Sequence, residues 1–285
     1  LGAVKEQSSG LYAQTLAENG FVTLAFDPSY PGASGGQPRN VASPDINTED
    51  FSAAVDFLGL QEEVDRNRIG ILGICGWGGM ALNAASMDTR VKAVATSVMY
   101  DMSRAMGHGV GDGKDRYSTS DRRAVLQYLN AQRWKDAENG TFAHGGHDIY
   151  VDENGKVTAA ERILPEALPA DPHPVLKEFY DYYRMPRGFH ARSVNSTGAW
   201  TATTPLSFMN MPLLSYAGEV TIPTLIVTGE KAHSRYFAED AFKAVGSKQK
   251  ELVIVPGANH VDLYDNVAGK IPFAQFEQFF KTSLK

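Results

Sequence analysis

Short apolar runs and stretches with helical spacing take turns along most of this chain. Phe21-Val22-Thr23-Leu24-Ala25-Phe26, Ile69-Gly70-Ile71-Leu72-Gly73-Ile74, and the runs over 91–98, 223–228 and 251–255 are brief and nearly uncharged. Runs of this kind predict strands buried on both faces of a parallel sheet. Between them, apolar residues recur three and four apart. Leu11, Tyr12, Leu16 and Ala17 predict a helix that stops at Asn19-Gly20, and Phe51, Ala54, Val55 and Leu58 share one face of a helix over 45–60. Further helices are expected over 78–87, 236–245 and 271–284, the last with Phe273, Phe276, Phe279 and Phe280. Strand and helix alternating at this spacing imply an α/β fold with a mostly parallel, doubly wound sheet.

The alternation breaks at about residue 101. Residues 101–217 are rich in Tyr, Arg, Gly, Pro and His, with helices expected over 121–138 and 174–184 among irregular loops. They read as a cap insertion, which leaves 1–100 and 218–285 as the core.

One stretch carries candidate chemistry. Arg68 to Ile74 is a strand, Cys75-Gly76-Trp77-Gly78-Gly79 is rich in glycine, and Met80-Ala81-Leu82-Asn83-Ala84-Ala85 is a good helix former. A strand, a sharp turn and a helix with a nucleophile at the apex form a nucleophile elbow. The helix N-terminus would favour a thiolate at Cys75.

Composition narrows the function classes. The formal net charge of -6 speaks against a nucleic-acid or acidic-membrane partner. The lone cysteine leaves no intrachain disulfide, so the fold does not depend on an oxidising compartment and a cytoplasmic location is expected. No apolar run is long enough to span a bilayer. Two metal look-alikes read more simply as loops. His144-Gly145-Gly146-His147-Asp148 is a glycine-rich loop, and Asp152, Asn154, Gly155 and Glu161 fit a calcium loop only with Tyr150 in its first ligand position. Segments 149–151 and 156–158 flank Glu153-Asn154-Gly155 as a hairpin. No metal and no cofactor is implied.

Gly73-Ile74-Cys75-Gly76-Trp77-Gly78-Gly79 resembles the elbow of the α/β-hydrolase superfamily, Asp27 to Gly36 resembles the loop after its fourth strand, and His260 sits just after the last strand, where its catalytic histidine sits. The chain is most similar to the dienelactone-hydrolase-like subgroup with a cysteine nucleophile, among bacterial uncharacterised hydrolases and fungal polyketide transferases. Met99-Tyr100-Asp101-Met102-Ser103-Arg104 and Gly229 to Phe237 add to that likeness. The resemblance implies an α/β-hydrolase fold whose first strands lie outside this chain. It implies Cys75 as nucleophile, His260 as base, and an oxyanion hole made by the Gly76 amide and an amide of Gly2 or Ala3. The superfamily's acid position falls on Ala232, so Glu230, the nearest carboxylate, is the expected acid and Asp101 the alternative. Trp77 stands where a small residue is usual and is expected to crowd the elbow. Trp77, Tyr100, Tyr182 and Tyr183 are the aromatic candidates for an acyl pocket.

These expectations describe an acyl hydrolase acting on an ester, lactone or thioester, with a small-molecule acyl substrate as its partner and a homo-oligomer left open. An acyltransferase that passes the acyl or polyketide group to an alcohol would use the same acyl-enzyme. A non-catalytic relative that binds small apolar ligands would explain Ala232 and Trp77, but not a cysteine and a histidine both at triad positions.

Overall fold

A computed structural model describes residues 1–285. The chain begins with α1 (Ser8–Glu18) and α2 (Pro44–Gly59), then β1 (Gly70–Ile74), α3 (Trp77–Met87) and β2 (Ala93–Ser97). The long connection that follows holds α4 (Met102–His108), α5 (Thr119–Asn139), β3 (His144–Gly145), β4 (Ile149–Val151), β5 (Val157–Ala159), α6 (Pro174–Tyr183), α7 (Val194–Thr197), β6 (Trp200–Thr201) and α8 (Thr204–Asn210). The chain closes with β7 (Thr224–Gly229), α9 (Arg235–Ala244), β8 (Lys250–Val255) and α10 (Phe273–Ser283). No helix is long and apolar enough to cross a membrane.

The central sheet is parallel, in the order β1-β2-β7-β8. Its inner strands β2 and β7 are buried along their whole length, which is why they read as unbroken apolar runs. Side chains alternate between the faces with period two. Val94 and Ile226 join Phe51, Val55, Met80, Leu82, Ala238 and Ala241 on one face, under α2, α3 and α9. Ala93, Ala95, Leu225 and Val227 join Tyr12, Leu16, Phe276 and Phe280 on the other, under α1 and α10. The register aligns Ile74 with Ser97, Ser97 with Val227, and Gly229 with Val255. The four strands therefore end along one edge, where adjacent backbones stand about 5 Å apart.

One expectation is corrected. Residues 21–26 form no strand. β1 bonds only to β2, and an apolar cavity of about 530 Å³ lies between its free edge and residues 21–26, so the run has no ladder within reach. The Asn154-Gly155 segment is indeed a turn, with Ile149 opposite Ala159 and Val151 opposite Val157. Asp152 Oδ1 accepts from the Asn154 and Lys156 amides, each at 2.9 Å, and so serves the turn itself.

Glycine sets how closely α3 lies on β1. A Cβ on Gly73 would stand 2.3 Å from the Trp77 carbonyl oxygen and 2.7 Å from Ala81 Cβ, and neither atom is the end of a flexible side chain. Gly73→Ala is expected to cost about 1–3 kcal/mol, as overpacking usually does. Urea unfolding followed by circular dichroism would measure it, and an unchanged midpoint would show that α3 can move off the sheet freely.

Candidate active site

β1 ends at Ile74 and α3 begins at Trp77, so the chain reverses within Cys75-Gly76. It does so with Cys75 at φ +59°, in the left-handed region that side chains avoid. Hydrogen bonds from both sides hold this strain. The Cys75 N–H donates to the Ser97 carbonyl at 2.9 Å, and its own carbonyl accepts from the Gly78 and Tyr100 amides, each at 3.0 Å. The cysteine is half-buried and in no disulfide. Trp77 leans edge-on against Phe26 and Phe51 and lines the cavity at the β1 edge. It occupies the α2 face of the sheet, so the expected crowding of the elbow does not arise.

His260 comes from the loop after β8 and is fully buried. Asn259 and Asp262 exchange hydrogen bonds across the turn at 3.0 and 2.8 Å, and Lys270 Nζ reaches both Asp262 and the Gly257 carbonyl at 2.8 Å. Gly229 lets this loop approach, because a Cβ there would stand 2.3 Å from the Ala258 carbonyl oxygen. From the other side, the buried Tyr12 hydroxyl donates to the Leu263 carbonyl at 2.8 Å.

The group on His260 Nδ1 is a hydroxyl. Ser234 Oγ lies 2.7 Å away, and Ser234 is itself fully buried just before α9. This corrects both acid candidates. Glu230 is exposed, and its Oε2 accepts from the Gly257 N–H at 2.7 Å, so it steadies the histidine loop from outside. Its backbone is tied to the end of β8 by a bond to the Val255 carbonyl at 2.9 Å, and the residue after β7 that hydrogen-bonds to the imidazole is Ser234. Asp101 caps α4, where its Oδ1 accepts from the Arg104 N–H at 3.0 Å and from the Ser103 hydroxyl. It makes no hydrogen bond to His260, whose ring nitrogens meet Ser234 and Tyr264.

On the other ring nitrogen, His260 Nε2 meets the Tyr264 hydroxyl at 3.0 Å. Aromatic rings close the surroundings. Tyr100 and Phe179 stand 5.2 and 5.3 Å from the His260 ring, and His233 stands 5.1 Å away with its Nε2 bonded to the Tyr100 hydroxyl. Tyr183 lines the cavity beside Cys75, whereas Tyr182 stands behind Tyr183 and Tyr264, at 4.8 and 5.1 Å, as their support. Burial above all, and then a charge at the Cys75 sulfur, push the Tyr100, Tyr183 and Tyr264 phenols well above their usual range. Burial pushes His260 down to about 3, and burial together with the neighbouring His260 does the same to His233. Both imidazoles are therefore neutral near pH 7, and no carboxylate hydrogen-bonds to either.

Residues 1–3 run beside the elbow. The Leu1 main-chain nitrogen lies 3.8 Å from Cys75 Sγ, and a Cβ on Gly76 would stand 2.9 Å from that nitrogen. Asn195 Nδ2 and Ser193 Oγ hold the segment by donating to the Leu1 and Gly2 carbonyls at 2.7 and 2.9 Å. The amides of Gly2, Ala3 and Gly76 donate to no acceptor in the protein. No group of three or more His, Cys, Asp or Glu side chains is placed to hold a metal ion.

No protein-family model matches the chain. An uncharacterised protein of Pseudomonas aeruginosa is 57% identical over 284 residues, which is 99% of this chain and 71% of that protein. The crystal structure of a hypothetical protein from the same organism superposes with a TM-score of 0.89 at 57% identity, covering 100% of this chain and 82% of that one. The uncharacterised protein YcjY of Escherichia coli is 34% identical over 271 residues, 94% of this chain and 80% of that protein. The chain belongs to one family with these bacterial proteins. The α/β hydrolase GrgF of a Penicillium species superposes with a TM-score of 0.72 at 20% identity, covering 99% of this chain and 87% of that one. The chain therefore has the α/β-hydrolase fold. Two fungal relatives match over shorter spans. Thiohydrolase aneE of Aspergillus aculeatus is 38% identical over 92 residues, 32% of this chain and 29% of that protein. Acyltransferase drtE of Aspergillus calidoustus is 26% identical over 181 residues, 64% of this chain and 58% of that protein.

In this site, the sequence did not point to Ser234, Tyr264 and His233. Tyr264 had a signal, since it follows His260 by four residues across a single turn, Val261–Leu263. Ser234 had none beyond its place between β7 and α9.

The buried imidazoles have a thermodynamic consequence. Between about 6.5 and about 3, the unfolded chain binds protons that His233 and His260 do not bind in the folded protein. Stability therefore falls as pH falls through that window. His260→Asn is expected to flatten the slope of unfolding free energy against pH by up to one proton; an unchanged slope would mean that the folded protein protonates this ring. Ser234→Ala removes one buried hydrogen bond and is expected to lower stability by about 1 kcal/mol. Urea unfolding would read that loss, and an unchanged midpoint would show that the bond contributes nothing to the fold.

Proposed function

We propose that this protein is an acyl hydrolase that uses Cys75 to attack an ester, lactone or thioester, with His260 as base and Ser234 as the group on its second nitrogen. The observation that carries this reading is the pairing of a strained elbow cysteine with a fully buried histidine whose Nε2 is held by the hydroxyl of Tyr264, which lines the same cavity as the cysteine.

The Nδ1–H tautomer of His260 donates to Ser234 Oγ and leaves the Nε2 lone pair as a base. Because burial keeps the ring neutral, the resting site holds no imidazolium. The thiol proton moves to His260 as sulfur attacks the carbonyl carbon, so charge develops only in the transition state. The Gly76 amide and an amide of Gly2 or Ala3 would receive the oxyanion, which their free N–H groups and their closeness to the sulfur favour. The tetrahedral intermediate collapses, the leaving alcohol or thiol takes the proton from His260, and a thioester remains on Cys75. Water then gives a proton to His260 and adds to the thioester. The acid leaves and the thiol is restored. A base of this strength suits activated carbonyls better than amides.

Residues 101–217 act as the cap in this reading. Phe179, Tyr183 and Asn195, all from that segment, reach the histidine or the residues beside the cysteine. The same ring-lined enclosure favours acyl transfer as the second reading, because it limits water and would let an alcohol compete for the acyl-enzyme. The drtE similarity points the same way.

Brief exposure to p-nitrophenyl esters and acyl thioesters is expected to leave an acyl adduct on the wild type and none on Cys75→Ala, read by intact mass. Loss of that adduct in water alone supports the hydrolase, and faster loss with added alcohols supports the transferase. A folded protein that forms no adduct and releases no product would instead be a ligand-binding relative.

A further inference from the structure

No hydrogen bond joins His260 to Cys75. Nε2, the nitrogen that must act as base, is occupied by the Tyr264 hydroxyl at 3.0 Å. Tyr264 and Cys75 line one cavity, so the occupied nitrogen faces the elbow through this residue. Tyr264 is held there. The turn Val261–Leu263 carries it, its N–H donates to the Val261 carbonyl at 2.9 Å, and its ring is fenced by Tyr182, Tyr183 and Phe179 at 5.1, 6.0 and 6.3 Å. Tyr264 is 1% exposed, so no bulk water can take its place.

We infer that Tyr264 is a catalytic proton carrier, passing the Cys75 proton to His260 Nε2 through its own hydroxyl. The inference rests on the cysteine–histidine reading above. As the sulfur bonds to the acyl carbon, the thiol proton moves to the Tyr264 oxygen while the Tyr264 proton moves to Nε2. The phenol is neutral before and after, and the charge appears as imidazolium at His260 and oxyanion at the substrate. When the leaving group departs, His260 returns a proton through the same hydroxyl. A free phenolate is not formed, because burial and the adjacent sulfur oppose it, so the two transfers are concerted. Such a chain lets an uncharged, carboxylate-free site move a proton without separating charge along the way.

The test is Tyr264→Phe, which keeps the ring and removes the hydroxyl. Acylation of Cys75 is expected to slow about 100-fold or more, the scale of a lost acid–base group, with kcat falling and KM unchanged. Acylation at the wild-type rate would overturn the relay and leave the acyl-enzyme reading intact. Faster acylation would also overturn it, since the hydroxyl would then be blocking the histidine. Alkylation of Cys75 by iodoacetamide separates the two claims, because it forms a sulfur–carbon bond, releases iodide and needs the same proton removal without any acyl chemistry. Tyr264→Phe and His260→Ala should slow it alike; slowing by His260→Ala alone would overturn the relay. The wild type gives a readout independent of any variant's folding. In mixtures of light and heavy water, two protons in flight bow the plot of alkylation rate against deuterium fraction, and a straight line would refute the concerted transfer.

Discussion

The left-handed backbone at Cys75 is a strained conformation that only its neighbours make tolerable. The Ser97 carbonyl takes its N–H, and the Gly78 and Tyr100 amides take its carbonyl. Those partners belong to the end of β2, to α3 and to the chain leaving the sheet, so the apex exists only when β1, β2 and α3 are packed. The absence of side chains at Gly73 and Gly78 permits that packing, since a Cβ on Gly78 would stand 2.3 Å from Met99 Cβ. The strain at the thiol is thus stored by the same contacts that build one face of the core.

The register of the sheet carries this geometry across to the histidine. With Ser97 beside Val227 and Gly229 beside Val255, the loops after β7 and β8 open at the same edge as the elbow. The histidine loop is then fastened from several directions, by Glu230 on Gly257, by Lys270 on Asp262 and by Tyr12 on Leu263. Glu230 has a structural role in this arrangement, as does Asp101 at the start of α4.

What results is a site whose near neighbours are hydroxyls, imidazoles and aromatic rings. In a low-dielectric enclosure of that kind an imidazolium is costly, and no carboxylate hydrogen-bonds to either ring to offset the cost. Burial accordingly drives both His233 and His260 to about 3. The proposed chemistry would start from neutral groups that share protons along hydrogen bonds, which suits reactive acyl donors better than stable amides.

Much of this was legible in the order of residues. The apolar runs at 91–98 and 223–228, the helical spacing of Phe51 and Val55, and the glycines around Cys75 dictate strands, helices and a sharp turn through local physics, and the structure has them there. The run 21–26 has the same local character, yet it forms no ladder, because a strand needs a partner and none lies beside it. The third member of the site was equally beyond local rules. Glu230, Asp101 and Ser234 are all polar residues near strand ends, and which one meets His260 Nδ1 depends on where α9 and α4 begin and on how the loop after β8 folds back. Sequence alone determined the alternation of elements and the placing of cysteine and histidine at the sheet's end, because periodicity and turn chemistry act over a few residues. Only the tertiary structure decided that a serine and a tyrosine, not a carboxylate, hold the imidazole, because that choice is made by contacts between segments that packing alone brings together.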